Sequence, residues 1–393
     1  MAGNKNEEDK GMVVAIDASR NRSGGARAHL LGILKAGDPR IHGINAIHVW
    51  SYKQLLDAIP DAPWLVKHSP PELEKSLLRQ IWWQYKKFSR EIRSAGCDVL
   101  LSTGAGTFCR FFPSVVMSRD MLSFEGKEMQ RYSVFSFARW RLQFLKCLQI
   151  NSMRQAAAVL FLTKYASNTI QKFTGVLSKF VIIPHGIGEE FRIAPASLMD
   201  GPGESIRCLY VSNADLYKHQ WHVVRAISRL RKAGYPIFLD LVGGGSGKGR
   251  ALLDKAIAAE DPEGKFVELF DSVPHAKIPT YLKKANIFIF ASSCENMPNT
   301  LVEAMAAGLP IACSDRGPMP EILQDAGIYF DPEDEESIRA AVEKMISNYS
   351  LRNSLAKKAE YLSKQYSWSR CAAETWGFLS EIGRVAERIS RRK

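Results

Sequence analysis

Two carboxylates and the start of a helix make the densest group of chemically capable residues in the chain. Glu295 and Glu303 bracket Asn296-Met297-Pro298-Asn299-Thr300-Leu301-Val302, with an apolar run ending near Phe290 before them and Gly308 after them. That order reads as a buried strand, a polar loop, and a helix that begins near Asn299 or Thr300 and stops at Gly308. At such a helix start the backbone N–H groups of Asn299, Thr300 and Leu301 lack intrahelical partners. Together with the positive end of the helix dipole they suit a phosphate or diphosphate. A carboxylate accepts two hydrogen bonds from a vicinal diol, a group that sugars and ribose both carry. Glu295 sits in the loop and Glu303 near the first helical turn, so they would reach opposite ends of an extended ligand. The plainer alternative leaves Glu303 complementing the dipole and Glu295 in solvent.

The elements that must position these groups are strands and helices in alternation. Apolar runs rich in Val, Ile, Leu and Phe recur at 12–17, 46–50, 98–101, 114–117, 158–162 and 180–183, then at 207–211, 237–242, 265–269, 287–290, 310–313 and 327–330. Amphipathic stretches separate them, which is the pattern of parallel sheets covered by helices, an α/β chain. A polar stretch with Pro and Gly from Pro195 to Ser205 divides the two series and reads as a linker. The expected organisation is one Rossmann-like domain over 12–195, a second over 196–367, and a C-terminal helix over 368–393. In open α/β sheets ligands sit at the carboxyl ends of strands, so the chemistry belongs to strand-to-helix loops.

The stretch Ser292-Ser293-Cys294-Glu295 through Pro298-Asn299-Thr300-Leu301-Val302-Glu303-Ala304-Met305-Ala306-Ala307-Gly308-Leu309-Pro310-Ile311 is similar to the signature of the retaining GT-B glycosyltransferases grouped as sequence family 4. The resemblance extends over most of Ala156 to Asn348, including Phe180-Val181-Ile182-Ile183-Pro184-His185-Gly186 and Leu209-Tyr210-Val211-Ser212-Asn213 with Lys218, and more thinly over the N-terminal half. The resemblance implies a GT-B fold, two Rossmann-like domains facing across a cleft with a terminal crossover helix. It implies donor binding by Ser212, Asn213, Lys218, Glu303 and the amides of Asn299, Thr300 and Leu301, with Glu295 beside the donor sugar. Gly24 and Gly25 end a loop that follows the first strand, and the family's equivalent loop faces the donor. Relatives often carry Gly-Arg where this chain has Ser212-Asn213, so the resemblance implies a diphosphate clamp that either has one cation fewer or borrows another. Relatives also often carry a His after the fourth strand, where this chain has Arg119 and Asp120; these two, with His185, are the candidates for the acceptor or sugar side.

Other motifs are set aside on spacing. Around Lys248 a phosphate-binding P-loop would need Gly at 242 and Ser or Thr at 249, whereas the chain has Val242 and Gly249, so a glycine-rich turn after a strand is expected. The acids at 331–336 lack Asp-x-Asp spacing and open a helix. No metal and no cofactor are expected; a nucleoside diphosphate sugar is the substrate the resemblance implies.

Composition bounds the rest. The chain of 393 residues is 46% hydrophobic and 24% charged, with a net charge of +12 and seven scattered cysteines without a C-x-x-C pair. Neither a disulfide framework nor a zinc site is indicated, and a cytoplasmic protein is expected. The charge favours anionic partners of some kind. Trp82 to Arg90 mixes aromatics with cations, and Arg384, Arg388, Arg391, Arg392 and Lys393 add a basic tail. Docking on an anionic membrane surface, toward a glycan or lipid-linked glycan acceptor, is therefore expected. Aromatics packed into the core are the alternative for Trp82 to Arg90. A nucleic-acid partner is disfavoured because no reading motif accompanies the charge. A catalytically silent scaffold of the same fold is the remaining rival.

Overall fold

The apolar runs become two all-parallel sheets in the computed structural model, which describes residues 11–22, 24–193 and 205–391. The first sheet contains β1 (Met12–Asp17), β2 (Ile44–Trp50), β3 (Leu65–His68), β4 (Val99–Ser102), β5 (Ser114–Met117), β6 (Ala158–Phe161) and β7 (Phe180–Ile182), in the spatial order β3-β2-β1-β4-β5-β6-β7. The second contains β8 (Ile206–Val211), β9 (Ile237–Val242), β10 (Val267–Phe270), β11 (Ile287–Phe290), β12 (Ile311–Ser314) and β13 (Ile328–Phe330), in the order β10-β9-β8-β11-β12-β13. Central strands such as β4, β6, β11 and β12 are buried at every residue, as helices on both faces require.

Strand order reverses between β1 and β4 in the first sheet and between β8 and β11 in the second. Such switch points open a crevice where the loops leaving the two strands diverge. The loops concerned are 18–23 and 103–113 in the first sheet, and 212–219 and 291–298 in the second.

The chain divides into two compact units. Unit 1 is Met1–Arg119, Arg141–Gly186 and Trp368–Lys393; unit 2 is Asp120–Trp140 and Ile187–Ser367. Two differences from the sequence expectation stand out. The segment Asp120–Trp140 belongs to unit 2, and the division falls after Gly186 rather than after 195. Residues 195–204 of the expected linker, Ser23 and the tail residues Arg392 and Lys393 lie outside the described residues, as does the side chain of Arg391.

The terminal helix Trp368–Arg391 packs within unit 1 against the helix Gly24–Ala36. Trp376 and Cys371 are fully buried, so the stripe of apolar residues seals one face of the unit. Gly32 is the point of closest approach: a Cβ there would lie 2.3 Å from the Trp368 ring. The absence of a side chain is what lets the indole lie against the helix backbone.

Strand β3 was not expected, because its residues Leu-Val-Lys-His carry two polar groups and lie at the sheet edge with every position at least partly exposed. The aromatic-cationic segment splits into two helices, Leu77–Lys86 and Phe88–Ser94. Trp83 and Phe88 are in the core, Trp83 donating from its indole N–H to Glu91 at 2.9 Å, while Trp82 and Tyr85 are exposed with Lys87 and Lys86 over their rings. That segment is therefore core on one side and surface on the other.

Candidate active site

In unit 2 the switch point of the second sheet assembles the charged groups. Lys218 ends a short 3-10 turn, Leu216–Lys218, on the loop leaving β8. Its ammonium forms an ion pair with Glu295, on the loop leaving β11, and both side chains are largely withdrawn from water. The ammonium also lies 5.0 Å and 5.7 Å from the ring centres of Tyr217 and Phe290. The two loops are joined by the Ser293 N–H donating to the Tyr217 carbonyl at 2.8 Å, while the Tyr210 hydroxyl on β8 donates to the Lys218 carbonyl at 2.7 Å and holds the first loop to its own strand. His219, in the left-handed region at φ 50°, places its Nε2 at 2.8 Å from the Ser293 hydroxyl. Burial pulls the His219 pKa down to about 3, so this imidazole is neutral. The Ser293 hydroxyl in turn donates to Glu128 at 2.8 Å, and Arg131 joins Glu128 and Glu333 at 2.7 and 2.6 Å.

Ser212 and Asn213 leave β8 beside Lys218, Ser212 held by its own backbone bonds and Asn213 exposed. The glycine run after β9 has a packing cause. A Cβ at Gly243 would lie 2.4 Å from the Ser212 carbonyl oxygen, and one at Gly249 would lie 2.5 Å from that of Ala214. The run brings the helix Lys248–Glu260 against the β8 loop, a turn after a strand, and Lys248 itself is exposed.

The helix Asn299–Ala306 begins as expected, but its first turn is tighter than the sequence suggested. Pro298 supplies no side-chain cap, and its carbonyl accepts from both Leu301 and Val302 at 3.1 Å, while the Asn299 N–H donates to Met297. Asn299 and Leu301 are thus not free donors; of the three amides expected at the anion site, Thr300 alone has no partner among the described residues. Glu303 is buried on this helix. Its Oε1 meets His275 Nε2 at 2.9 Å, and its Oε2 is buried without a hydrogen-bond partner among the described residues. The hydrogen bond to Glu303 raises the His275 pKa above the ordinary imidazole value, against the opposing effect of burial. A buried carboxylate oxygen left unsatisfied is costly, which marks it as an acceptor for a ligand donor. His275 was missed in the sequence. It lies in the loop after β10, a strand-to-helix loop of the kind the fold singles out, but neither spacing nor motif marks it.

Unit 1 holds the remaining candidates. Gly24 and Gly25 open the helix Gly24–Ala36, Gly24 in the left-handed region at φ 60° with no atom within 4 Å of where a Cβ would be. Asp17, at the end of β1, accepts from the Ser19 N–H and hydroxyl and so folds the intervening loop. Arg119 donates from Nη2 to Asn21 Oδ1 at 3.1 Å. His185 is buried and stacks on His29, ring centres 4.6 Å apart. Asp120 parts from Arg119: its carboxylate accepts from the Leu122 N–H and the Ser123 hydroxyl, holding a turn in unit 2. Among the described residues no three of His, Cys, Asp and Glu are grouped as ligands for a metal ion.

Residues 201–361 match the family described as glycosyl transferases group 1. The O-antigen chain mannosyltransferase B of Escherichia coli is 31% identical over 103 residues, 26% of this chain and 27% of that protein, so the chain matches about a quarter of that relative's length. Among solved structures, sucrose-phosphate synthase from Thermosynechococcus elongatus superposes with a TM-score of 0.72 at 16% identity, covering 97% of this chain and all of that one. Anabaena Alr3699/HepE, solved with UDP-glucose, gives 0.70 at 15% identity over 94% of this chain and 100% of the other. Both sheets are arranged as in these glycosyltransferases, so the chain has a GT-B fold, and its segment 201–361, which contains Lys218, Glu295 and Glu303, matches glycosyl transferases group 1.

Proposed function

We propose that the protein transfers a hexosyl residue from a nucleoside diphosphate sugar to a glycan or lipid-linked glycan acceptor, with retention at the anomeric carbon and without a divalent ion. In that reaction the bond from C1 to the diphosphate oxygen breaks and the nucleoside diphosphate leaves with the electron pair. The acceptor oxygen bonds C1 from the same face and passes its proton to the departing diphosphate oxygen. The observation that carries the reading is the unsatisfied, buried Oε2 of Glu303, an acceptor of the kind a ribose hydroxyl satisfies. Lys218 and the Thr300 amide at the helix start would stabilise the departing diphosphate, a contribution that acts most strongly where water is excluded. Glu295, held by Lys218, would position the donor sugar. The solved relative that binds UDP-glucose and the O-antigen mannosyltransferase support a nucleotide-sugar donor and a surface-polysaccharide acceptor.

Thermal unfolding with a panel of UDP-, GDP- and ADP-sugars tests the donor, since a ligand at a hundredfold excess over its Kd adds about 2.7 kcal/mol of stability. The anomeric configuration of the product, read by NMR before and after dialysis against a chelator, tests retention and metal independence. Absence of any shift across the panel contradicts the donor assignment, and activity that only magnesium or manganese restores contradicts the metal-free step.

Docking on an anionic membrane is part of the same proposal, and the helix Phe137–Gln155 supports it better than Trp82 to Arg90. No Asp or Glu occurs between Glu128 and Glu189, while Arg131, Arg139, Arg141, Lys146, Arg154, Lys164, Lys172 and Lys179 do. Val134, Phe135, Phe137, Trp140 and Phe144 are all more than half exposed. Aromatics interleaved with cations and free of acids suit an anionic bilayer surface, each nearby cation contributing about 1 kcal/mol. No helix among the described residues is long and apolar enough to cross a membrane. Sedimentation with phosphatidylglycerol vesicles should remove the protein from solution at low salt and spare the variant Phe135→Ser, Phe137→Ser, Trp140→Ser; equal sedimentation of both contradicts this surface.

A further inference from the structure

A cation with no counter-ion among the described residues lies against the β1 loop of the first sheet's switch point. Arg119 follows β5, and one of its nitrogens, Nη2, donates to Asn21 Oδ1 at 3.1 Å. Asn21 is itself fully buried and fixed: its Oδ1 also accepts from the Thr103 hydroxyl at 2.8 Å, and its Nδ2 donates to the Ala26 carbonyl at 3.2 Å. The guanidinium is therefore held by a rigid neutral group rather than by an acid. Its Nε and Nη1 are buried and without any hydrogen-bond partner among the described residues, and it takes part in no ion pair there. The groups around it do not relieve the charge. His29, wholly buried, stacks on His185, and both Arg119 and His185 disfavour its protonation after burial itself. The adjacent Asp120 turns its carboxylate to Leu122 and Ser123. Arg119 is desolvated enough that burial draws its pKa down to about 10, so it stays charged at neutral pH.

An unpaired buried cation is among the most expensive features a folded chain can carry, and it persists where a ligand supplies the opposite charge. Asp17, at the end of β1, is by contrast satisfied, bound by Ser19 and Gln84. We infer that unit 1 binds an anionic group of the substrate, a carboxylate or a phosphate ester on a sugar, at Nε and Nη1 of Arg119. The inference rests on the glycosyltransferase reading for the statement that the ligand is a sugar. It adds the class of sugar: one bearing a negative charge, distinct from the diphosphate bound through unit 2. Arg119 is a specificity-determining residue in this account, and Asn21 positions it.

The test compares glucose 6-phosphate, glucuronate and glucose as binding probes, titrated calorimetrically into the full chain and into Arg119→Gln and Arg119→Lys, with UDP titrated alongside. A charge-assisted hydrogen bond in a site withdrawn from water supports about a tenfold or greater preference for one of the anionic probes over glucose. That preference should vanish in Arg119→Gln and survive in reduced form in Arg119→Lys, while UDP affinity stays within about twofold in both, well under the change a lost hydrogen bond makes. Equal binding of all three sugars to the unsubstituted protein overturns the inference. So does a preference that Arg119→Gln leaves intact, or a loss of UDP affinity as large as the loss for the anionic sugar, which would assign the guanidinium to the donor. Failure of UDP to bind the unsubstituted protein, with the anionic preference present, would instead count against the donor reading alone.

Discussion

The two switch points present opposite electrostatics. In unit 2 the basic groups described above have acids: Lys218 with Glu295, His275 with Glu303, Arg131 with Glu128 and Glu333. In unit 1 the corresponding position holds Arg119 with none. A pre-paired site binds its ligand by exchanging partners, so the fields of Glu295 and Lys218 are oriented before the substrate arrives and need little reorganisation. An unpaired site gains its partner from the ligand itself, which favours discrimination between charged and neutral substrates. Under the proposed function this difference would divide the labour, with unit 2 handling the diphosphate and unit 1 recognising the charged sugar.

The largest expected effect breaks the pre-paired side. Glu295→Gln keeps shape but removes the charge that orients Lys218 and, under the proposed function, the donor sugar; kcat of the folded protein should fall by about a hundredfold to a thousandfold, and the thermal unfolding midpoint should also fall because Lys218 loses its acid. Turnover at the original rate would remove Glu295 from the reaction. Next, Lys218→Ala should weaken nucleoside diphosphate by about tenfold or more while leaving the nucleoside nearly unaffected, because the lost charge faces phosphate. Equal losses for both ligands would mean that the ammonium only supports the loop through Glu295.

A purely structural perturbation sharpens the contrast from outside either site. Gly32→Val puts a side chain where the Trp368 ring lies and should lower stability by about 1 to 3 kcal/mol, read from denaturant unfolding. Unit 2 ligands should still bind the folded fraction, and a loss of nucleotide affinity in that fraction would contradict the independence of the two units' sites.

The smallest effect is on pH. The hydrogen bond that His275 donates to Glu303, with the charge of Glu190 adding to its effect, raises the His275 pKa above its ordinary value. For a group raised in the folded state the stabilisation is complete below the unfolded value of about 6.5 and is lost as pH rises through the folded one. Stability should therefore decline modestly as pH rises above about 6.5, and His275→Gln should flatten that decline. An unchanged slope in the variant would show that the pair does not titrate in this range.

Much of this was legible in the chain. The alternation of apolar runs announced both sheets, and the order of loop, Pro298 and apolar helix announced the placement of Glu295 and Glu303, because strand burial and helix entry are written in local residue types. What stayed hidden depends on tertiary neighbours. His275 becomes a site residue only when the β10 loop folds against the helix carrying Glu303. The first-turn amides were read as free because sequence does not reveal that the Pro298 carbonyl would accept from both Leu301 and Val302. Trp83 and Phe88 could not be told from Trp82 and Tyr85 without knowing which face of the helix meets the sheet. Arg119 was visible as a departure from the family pattern, but its lack of a counter-ion is a property of the packed unit alone.

The most direct test of the central claim is calorimetric titration of UDP, GDP and ADP into the unsubstituted protein and into Glu303→Ala. The account predicts that one of these binds the unsubstituted protein, and that the variant, having lost the buried acceptor for the ribose, binds that nucleotide and its parent nucleoside about tenfold or more weakly. No binding by any of the three, or equal affinity in the two proteins, would contradict it.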